Sequence, residues 1–308
     1  MDEGLTSQIL DSSESAFFPH AERKTLSKRI RRSTLGRLFR LRLARLGVCF
    51  VFIVVVCAVF APQLSPYGPT EFAGAPAEPP FTTNRILGTD VIGRDQLTRL
   101  LYGARASVQV ALMSVIFGAT IGVVLGLMAA YFGGLLDMAL MRLVDAMLSL
   151  PGLVLPLTLL AVLGGGISTV SLALGIGFIP SMARLTRGQA LGELGRDYVQ
   201  AAITSGAGDL RIMFRHVLPN CMAPIIVVAS LDLSVAIIAE AGLSFLGVGV
   251  TPPTPTWGIM LSMGFENILT EPSLVYPPAI AIFLLVLSIN FIGDGLRDVL
   301  DPRLRNEI

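Results

Sequence analysis

The sequence predicts an all-α membrane protein with six transmembrane helices. Of its 308 residues, 53% are hydrophobic and only 15% are charged, and the mean hydropathy is +0.71. A soluble domain carries about 25% charged residues and could not bury this much apolar surface. Several uncharged runs also reach the roughly 20 residues that a helix needs to cross a bilayer. The net charge of +1 provides no basic field for nucleic acid, so the expected surroundings are lipid.

The spans are predicted from uncharged runs and from the turn residues between them. Because 45 residues precede the first run, it is interpreted as a retained anchor rather than a cleavable signal. The triplet Gly164-Gly165-Gly166 divides a run that is too long for one crossing. Pro151 and Pro156 are expected to kink the span before that turn. The six predicted spans are 46–64, 106–136, 138–163, 168–190, 218–246 and 276–292.

Positive charge predicts the orientation. With the N-terminus inside, 19 of the 23 Lys and Arg residues fall on the inner side, and only Arg85, Arg94, Arg99 and Arg105 fall outside. Cytoplasmic segments carry the excess of Lys and Arg, so both termini are expected in the cytoplasm. The chain then divides into a basic, partly disordered cytoplasmic tail (1–45), the first span with an external loop (46–105), a core of five spans (106–296) with a cytoplasmic loop at 191–217, and a cytoplasmic C-terminal tail (297–308).

Residues for catalysis or for a resident metal are not recognisable. Neither of the two lysines, Lys24 and Lys28, follows a glycine-rich loop, which excludes a phosphate-binding motif of that type. His20 and His216 are far apart and have no ligand at metal spacing. The sequence therefore predicts no catalytic residue, no metal site and no cofactor of its own. Any transport against a gradient would need an external source of energy.

Two carboxylates are predicted inside the fifth span. Asp232 and Glu240 are eight residues apart, so they share a helix face. Carboxylates at that depth face protein or water rather than lipid, which makes both residues candidates for a translocation pathway. The alternative, that hydroxyls or an Arg of a neighbouring helix hold them as packing groups, stays open. Arg142 and Asp145, at i,i+3 spacing, are expected to pair with each other.

Other residues predict helix packing and depth. Gly118, Gly122 and Gly126 repeat every four residues in the second span, which allows another helix to approach closely. That helix belongs either to this chain or to a second subunit. The single Trp, Trp257, follows a proline-rich external segment and is expected in the aromatic belt at the membrane interface.

The most informative segment is the polar interruption at 198–220, which reads YVQAAITSGAGDLRIMFRHVLPN. It lies between two apolar runs and has more residues than a turn needs. Gln200-Ala201-Ala202 followed by Gly206 predicts a short helix, a break and a second short helix. A structured loop on the inner side of a membrane protein indicates that something docks there.

This loop resembles the EAA motif of the permeases of binding-protein-dependent ABC importers. In that motif, E-A-A is followed by three residues, Gly, nine residues, a hydrophobic residue, any residue and Leu-Pro. Gln200 replaces the Glu here, and His216 replaces an Ile-like residue. The H-x-L-P-N form is similar to the C-type permeases of the dipeptide/oligopeptide/nickel subfamily. Further ordered matches are LGTDVIGRD (87–95), RLLYGARASV (99–108), YFGG (131–134), MRLVD (141–145), ARLTRG (183–188), EAGLSFLGVG (240–249), PPTPTWG (252–258) and GDGLRDVLDPR (293–303).

The resemblance implies a permease of the type I ABC importer fold in the bacterial inner membrane. It implies an importer of di- or oligopeptides, with nickel or another small solute as the alternative. The implied partners are a second permease of the B type, two cytoplasmic ATPase subunits or domains that bind ATP and Mg, and an extracytoplasmic substrate-binding protein. The residues that it assigns to ATPase coupling are Tyr198, Gln200, Ala201, Ala202, Gly206, Asp209, Arg211 and Arg215.

Two other classes of membrane protein are less consistent with the sequence. A transporter driven by an ion gradient would carry a paired ionisable network at the midplane and an inverted repeat, and neither is recognisable. A receptor-like protein without transport would not explain a span broken by Pro and Gly beside a docking loop.

Overall fold

The computed structural model describes residues 36–82 and 85–300. The expected disorder at the start of the N-terminal tail lies outside these ranges. All regular elements within them are helical, apart from two isolated β-bridges that join Phe72 to Arg94 and Thr89 to Asp95. The α-helices are α1 (Arg42–Val59), α2 (Ala61–Leu64), α3 (Gln96–Phe132), α4 (Gly134–Leu148), α5 (Val154–Leu163), α6 (Ile167–Leu194), α7 (Asp197–Thr204), α8 (Asp209–Arg211), α9 (Leu218–Phe245), α10 (Trp257–Glu266) and α11 (Tyr276–Leu300). A π-helical segment, Ile212–Val217, joins α8 to α9, and the 3-10 turn Pro272–Leu274 precedes α11.

Five of the six predicted spans are confirmed as continuous helices. By length and apolarity, the helices that could cross a membrane are Arg42–Val59, Gln96–Phe132, Ile167–Leu194, Asp209–Phe245 and Pro272–Leu300. The third predicted span differs, because it consists of α4, with 15 residues, and α5, with 10 residues. Pro151 lies in the gap, where its ring and missing N–H prevent one helix from continuing. Pro156 lies in the first turn of α5, where the N–H groups have no partner within the helix.

Helix α3 begins at Gln96, ten residues before the predicted span, because contacts with the external loop stabilise its first turns. The helix begins at Gln96 because the Asp95 carboxylate caps it, accepting a hydrogen bond from the Thr98 amide at 2.7 Å. The Asp90 carboxylate accepts from the Arg94 guanidinium at 2.7 Å and lies 3.3 Å from that of Arg99. Arg85 pairs with Glu78 in the same loop. The polar first turns of α3 are buried under this folded loop, so helix 96–132 starts outside the apolar run.

Trp257 is buried within the protein, whereas an aromatic-belt residue would be exposed at its surface. Its side chain is only 2% exposed, and its indole N–H donates to the Leu100 carbonyl at 3.0 Å. A Cβ placed on Gly103 would lie 3.0 Å from the Trp257 ring, so the indole packs against α3. Its contacts are with the first turns of α3, at the end of the bundle that the sequence predicted, but packing buries the side chain within the protein.

The three repeated glycines bring α3 into close contact with α6 of the same chain. An added Cβ would lie 2.6 Å from the Gly175 carbonyl oxygen at Gly118, 2.7 Å from the Met182 Cβ at Gly122, and 2.4 Å from the Ala183 carbonyl oxygen at Gly126. Such distances exclude a side chain at each of the three positions. The expected close approach is therefore confirmed, and its partner is a helix of this chain rather than a second subunit.

Replacing Gly122 tests this contact. We expect Gly122→Ala to destabilise the protein by about 1–3 kcal/mol, because the new methyl group overpacks the interface between α3 and α6. Thermal unfolding of the detergent-solubilised protein measures the loss. Gly188→Ala is the matched control, since Gly188 lies on α6 with no atom within 4 Å of an added Cβ. Equal unfolding temperatures for the two variants would contradict the assignment.

Candidate functional site

The loop of interest lies at one end of the helical bundle, together with both ends of the described chain. An added Cβ on Gly295, near the end of α11, would lie 2.7 Å from the Cβ of Ala44 at the start of α1. A groove of about 660 Å³ is lined by Glu193 of α6, Asn220 of α9 and Arg297 of α11, so it joins these elements to the same end. We call this end the inner face. It carries most of the arginines among residues 36–82 and 85–300, in agreement with the orientation that the charges predict.

The loop forms one short helix that ends in a glycine cap. At the end of α7, the Gly206 amide donates to the Ile203 carbonyl at 2.9 Å, and the Ala207 amide donates to the Ala202 carbonyl at 3.1 Å. This pair of bonds is the Schellman arrangement, which needs a left-handed residue after the helix. Gly206 supplies it with a φ of +76°. The break predicted at Gly206 is therefore confirmed.

The sequence predicted a second, separate short helix in the latter half of the loop, and this prediction is wrong. Residues 209–217 continue through the π-helical segment into α9, so that one apolar helix runs from Asp209 to Phe245. A displacement of this end of the loop is consequently a displacement of α9 itself. A π-helical stretch inserted at this place often marks a functional position.

The loop has a buried side that fixes it to the bundle. Val199 is fully buried, and it belongs to an apolar cluster with Ile212 and Val217 of the π-helical segment, Cys221 of α9 and Leu127 of α3. The apolar residues of the loop thus divide into an inward set and an outward set. The inward set packs α7 against both flanking helices, so the loop cannot move independently of them.

The outward set leaves apolar side chains in solvent. The exposed fractions are 44% for Ile203, 70% for Leu210 and 45% for Phe214. Gln200, Ala201, Gly206, Arg211 and Arg215 are also exposed, and Ala202 is half-buried. Sequence reasoning selected the polar and small residues of this surface but missed Ile203, Leu210 and Phe214. Their signal was the presence of large apolar residues inside a polar loop, at i,i+4 spacing for Leu210 and Phe214.

Tyr198 and Asp209 link the loop to neighbouring helices. The Tyr198 hydroxyl donates to the Glu193 carboxylate at 2.5 Å and accepts from the Asn220 amide at 3.0 Å. Burial first, and the bond to Glu193 second, raise the pKa of Tyr198 to about 12, so the phenol stays protonated as a donor. The Tyr131 hydroxyl donates to Asp209 at 2.6 Å. The side chains of these two predicted coupling residues therefore bond within this chain, whereas Gly206, Arg211 and Arg215 are exposed on the surface.

Gln200 shows what its amide provides in place of the Glu of the EAA motif. Its side-chain N–H donates to the Leu194 carbonyl at 3.0 Å, across the junction between α6 and α7. That carbonyl belongs to the last residue of α6, where helix carbonyls have no partner within the helix. A carboxylate accepts hydrogen bonds but cannot donate them, so Glu at position 200 could not form this bond.

Ion pairs beside the loop connect α4 to α6. Arg187 donates to both carboxylate oxygens of Asp137, at 2.5 and 2.6 Å. Asp145 pairs with Arg184 and not with Arg142, so the pairing expected from the i,i+3 spacing is wrong. The reason is that α6 presents a guanidinium directly opposite Asp145. Together the two pairs hold α4 against the inner half of α6.

Asp232 and Glu240 share a face of α9 but have different surroundings. Glu240 is fully buried and accepts from the hydroxyls of Ser107 and Ser244, each at 2.8 Å. The Ser107 oxygen also accepts from the Trp257 amide at 3.4 Å. This matches the alternative in which hydroxyls hold the carboxylate, and it joins α3, α9 and α10 at their outer ends.

Asp232 has no comparable partners. It is half-buried, and its Oδ2 atom lies out of contact with solvent and without a hydrogen-bond donor among the described residues. It lies seven residues from both Ile225 and Ala239, which are buried, so it faces the interior of the bundle. Across residues 36–82 and 85–300, no group of three His, Cys, Asp or Glu side chains could hold a metal ion.

Comparison with protein families places most of this chain. Residues 122–306 match the family model described as binding-protein-dependent transport system inner membrane component. Residues 29–80 match the model described as the N-terminal TM domain of oligopeptide transport permease C.

Individual relatives cover most of the chain. It is 50% identical over 268 residues to the dipeptide transport system permease protein DppC of Escherichia coli (strain K12). That alignment covers 85% of this chain and 89% of the relative. It is 46% identical over 266 residues to the di/tripeptide transport system permease protein DppC of Pseudomonas aeruginosa (strain UCBPP-PA14), covering 84% and 88%. A solved structure of the MetNI methionine ABC transporter in inward facing conformations matches with a TM-score of 0.54 and 19% identity, over 66% of this chain and 96% of that chain. This last likeness concerns the fold.

The role of the amide at position 200 can be measured. We expect Gln200→Glu to lower the free energy of unfolding by about 0.5–1 kcal/mol at neutral pH, because the bond to the Leu194 carbonyl is lost. Chemical denaturation of the solubilised protein gives the difference. Gln63→Glu serves as the control, since Gln63 is exposed on α2. If both variants lose the same stability, the bond from Gln200 contributes nothing.

Proposed function

The chain belongs to the binding-protein-dependent transport system inner membrane components, and from this we propose that it is the permease subunit of an ATP-driven ABC importer for di- or oligopeptides. It is a multi-pass protein of the inner membrane. The peptide substrate is supported by relatives that are named dipeptide and di/tripeptide permeases and are 46–50% identical over most of the chain. Nickel or another small solute, the alternative from the sequence, is not favoured by these relatives.

The observation that carries the coupling role is the surface of the 198–217 loop. Exposed Ile203, Leu210 and Phe214 lie on a segment whose other side is anchored in the bundle. Exposed apolar side chains that are clustered on a rigid support are typical of a protein interface. The occupant that we propose is a cytoplasmic ATPase, with exposed Arg211 and Arg215 at the rim of the contact.

The remaining partners follow if a separate ATPase supplies the energy for transport. We assign ATP and Mg binding to two ATPase subunits or domains, and half of the pathway to a second permease of the B type. An extracytoplasmic binding protein supplies the peptide. The chain itself then requires no nucleotide site and no cofactor.

The mechanism that fits these contacts is alternating access driven by the ATPases. Closure of the two ATPases on ATP displaces the loops, and each loop moves with α6 and α9 because Val199, Tyr198 and Asp209 link it to the bundle. The pathway then opens outward, and hydrolysis returns it to the inward state. Within the pathway, Asp232 is the better candidate for contact with a peptide amino group, because Glu240 already has two hydroxyl partners.

Gly206→Pro tests the coupling role together with the transported substrate. Proline cannot adopt the φ of +76°, and it lacks the amide that donates to Ile203. Forcing a residue into a backbone conformation that it disfavours costs about 1–3 kcal/mol. We therefore expect uptake of labelled dipeptide by the reconstituted assembly to fall about tenfold or more. ATP hydrolysis and the amount of protein in the membrane should persist.

The matched control is Gly208→Ala, since Gly208 has an ordinary φ of −70° and no atom within 4 Å of an added Cβ. Normal dipeptide uptake by Gly206→Pro would refute the coupling role. Uptake of nickel but not of dipeptide by the unmodified assembly would refute the peptide substrate, independently of the variant.

Asp232→Asn tests the pathway assignment. The change keeps the shape of the side chain but removes its charge, so we expect dipeptide uptake to fall roughly three- to tenfold, with assembly preserved. Glu240→Gln is the comparison. It should impair assembly more than uptake, because the Glu240 carboxylate accepts hydrogen bonds from two buried hydroxyls. Uptake and membrane assembly are measured for both variants. If Asp232→Asn instead reduces assembly, and the protein that does assemble transports normally, Asp232 is a structural residue.

A further inference from the structure

The end of the molecule opposite the inner face carries an open cleft with one cationic side chain. Its volume is about 380 Å³, which lies within the range of small-molecule sites, about 300–1,000 Å³. The polar groups of its lining come from one face of α3 and from the two segments that cover it. They are Tyr102, Arg105 and Gln109 of α3, together with Thr70 and Thr254.

Arg105 differs from the other three arginines on this side of the protein. Arg85 pairs with Glu78, and Arg94 and Arg99 both pair with Asp90. Arg105 is exposed, and it takes part in none of the ion pairs found within 36–82 and 85–300. The residues that line the cleft include no Asp or Glu, so no carboxylate of the lining neutralises the Arg105 guanidinium.

A guanidinium without a partner selects a planar anion. Its N–H groups form a fork that matches the two oxygens of a carboxylate. The hydroxyls of Tyr102, Thr70 and Thr254 and the amide of Gln109 add groups that can bond a peptide unit. We propose that this cleft binds the C-terminal carboxylate of the incoming peptide, an assignment that rests on the proposed function and adds a substrate site to it.

The position of the cleft connects an occupant to the helical core. Arg105 is two residues from Ser107, whose hydroxyl donates to Glu240 of α9. Thr254 is three residues from Trp257, whose amide donates to the same Ser107 oxygen. A peptide held between Arg105 and the 252–255 segment therefore lies against two elements that the buried Glu240 cluster joins. Binding there is suited to the transfer of the peptide into the bundle.

The test uses the complete assembly in proteoliposomes, with the binding protein loaded with a labelled dipeptide on the outside. We expect Arg105→Gln to lower the maximal rate of dipeptide uptake about tenfold, because a charge-assisted bond to the carboxylate is lost. The concentration of loaded binding protein at half-maximal rate should stay within about twofold. Arg105→Lys should recover part of the rate, since it keeps the charge. The C-terminal amide of the same dipeptide, supplied at saturating concentration, should be affected much less by Arg105→Gln.

Three results would overturn the assignment. An unchanged maximal rate in Arg105→Gln would remove the site, and an equal loss for the dipeptide and its amide would show that no carboxylate is read. A shift confined to the half-maximal concentration of binding protein would make Arg105 a docking residue for that protein. Glu266→Gln, at an exposed position outside the cleft, controls for the replacement of a charged side chain by an amide elsewhere on the surface. Absence of dipeptide uptake by the unmodified assembly would instead reject the proposed function itself, so the two failures are distinguishable.

Discussion

The contact between α3 and α6 is the constraint on which the rest of the structure depends. In a bilayer, apolar side chains gain little by leaving lipid for one another, so helices associate where their backbones can pack closely. Gly118, Gly122 and Gly126 permit this along the length of α3, with carbonyl oxygens of α6 in the space that side chains would occupy. The pair then forms a rigid surface on which α9 packs, and α9 positions both the inner loop and the buried Glu240.

Polar contacts at the two ends of this pair convert packing into a defined geometry. On the inner side, Arg187 holds Asp137 and Tyr131 holds Asp209, while on the outer side Ser107 holds Glu240. The bond from Ser107 to Glu240 is buried, and such a bond is stronger in an interior of low dielectric than in water, where leaving one partner unpaired would cost less. A force applied to the loop is therefore transmitted to whole helices rather than absorbed by a flexible connector. That property is what a subunit driven by a separate ATPase requires.

The functional surfaces are distinguished by which side chains this framework leaves without a partner. On the loop, the Tyr198 hydroxyl and the Asp209 carboxylate are hydrogen-bonded within the chain, whereas Leu210 and Phe214 are large apolar side chains exposed to solvent. Outside, three arginines pair with carboxylates of the external loop, and Arg105 forms no ion pair in the part of the chain that the structure describes. Within the bundle, the Glu240 oxygens have donors, and one Asp232 oxygen has none among the residues that the structure describes. The same side-chain types thus serve as structural links or as available contacts according to their neighbours.

The sequence by itself determined the helical membrane class, five continuous spans, the glycine cap at Gly206 and the family, because these depend on local composition, spacing and ordered motifs. It also indicated the close approach of a helix to α3. Only the tertiary structure decided that Asp145 pairs with Arg184 rather than Arg142, that Trp257 is buried, and that residues 209–217 continue without a break into α9. The physical reason is that partner choice depends on the rotation and depth of helices distant in the chain. Spacing within one helix shows which residues share a face, but it contains no information about what lies opposite.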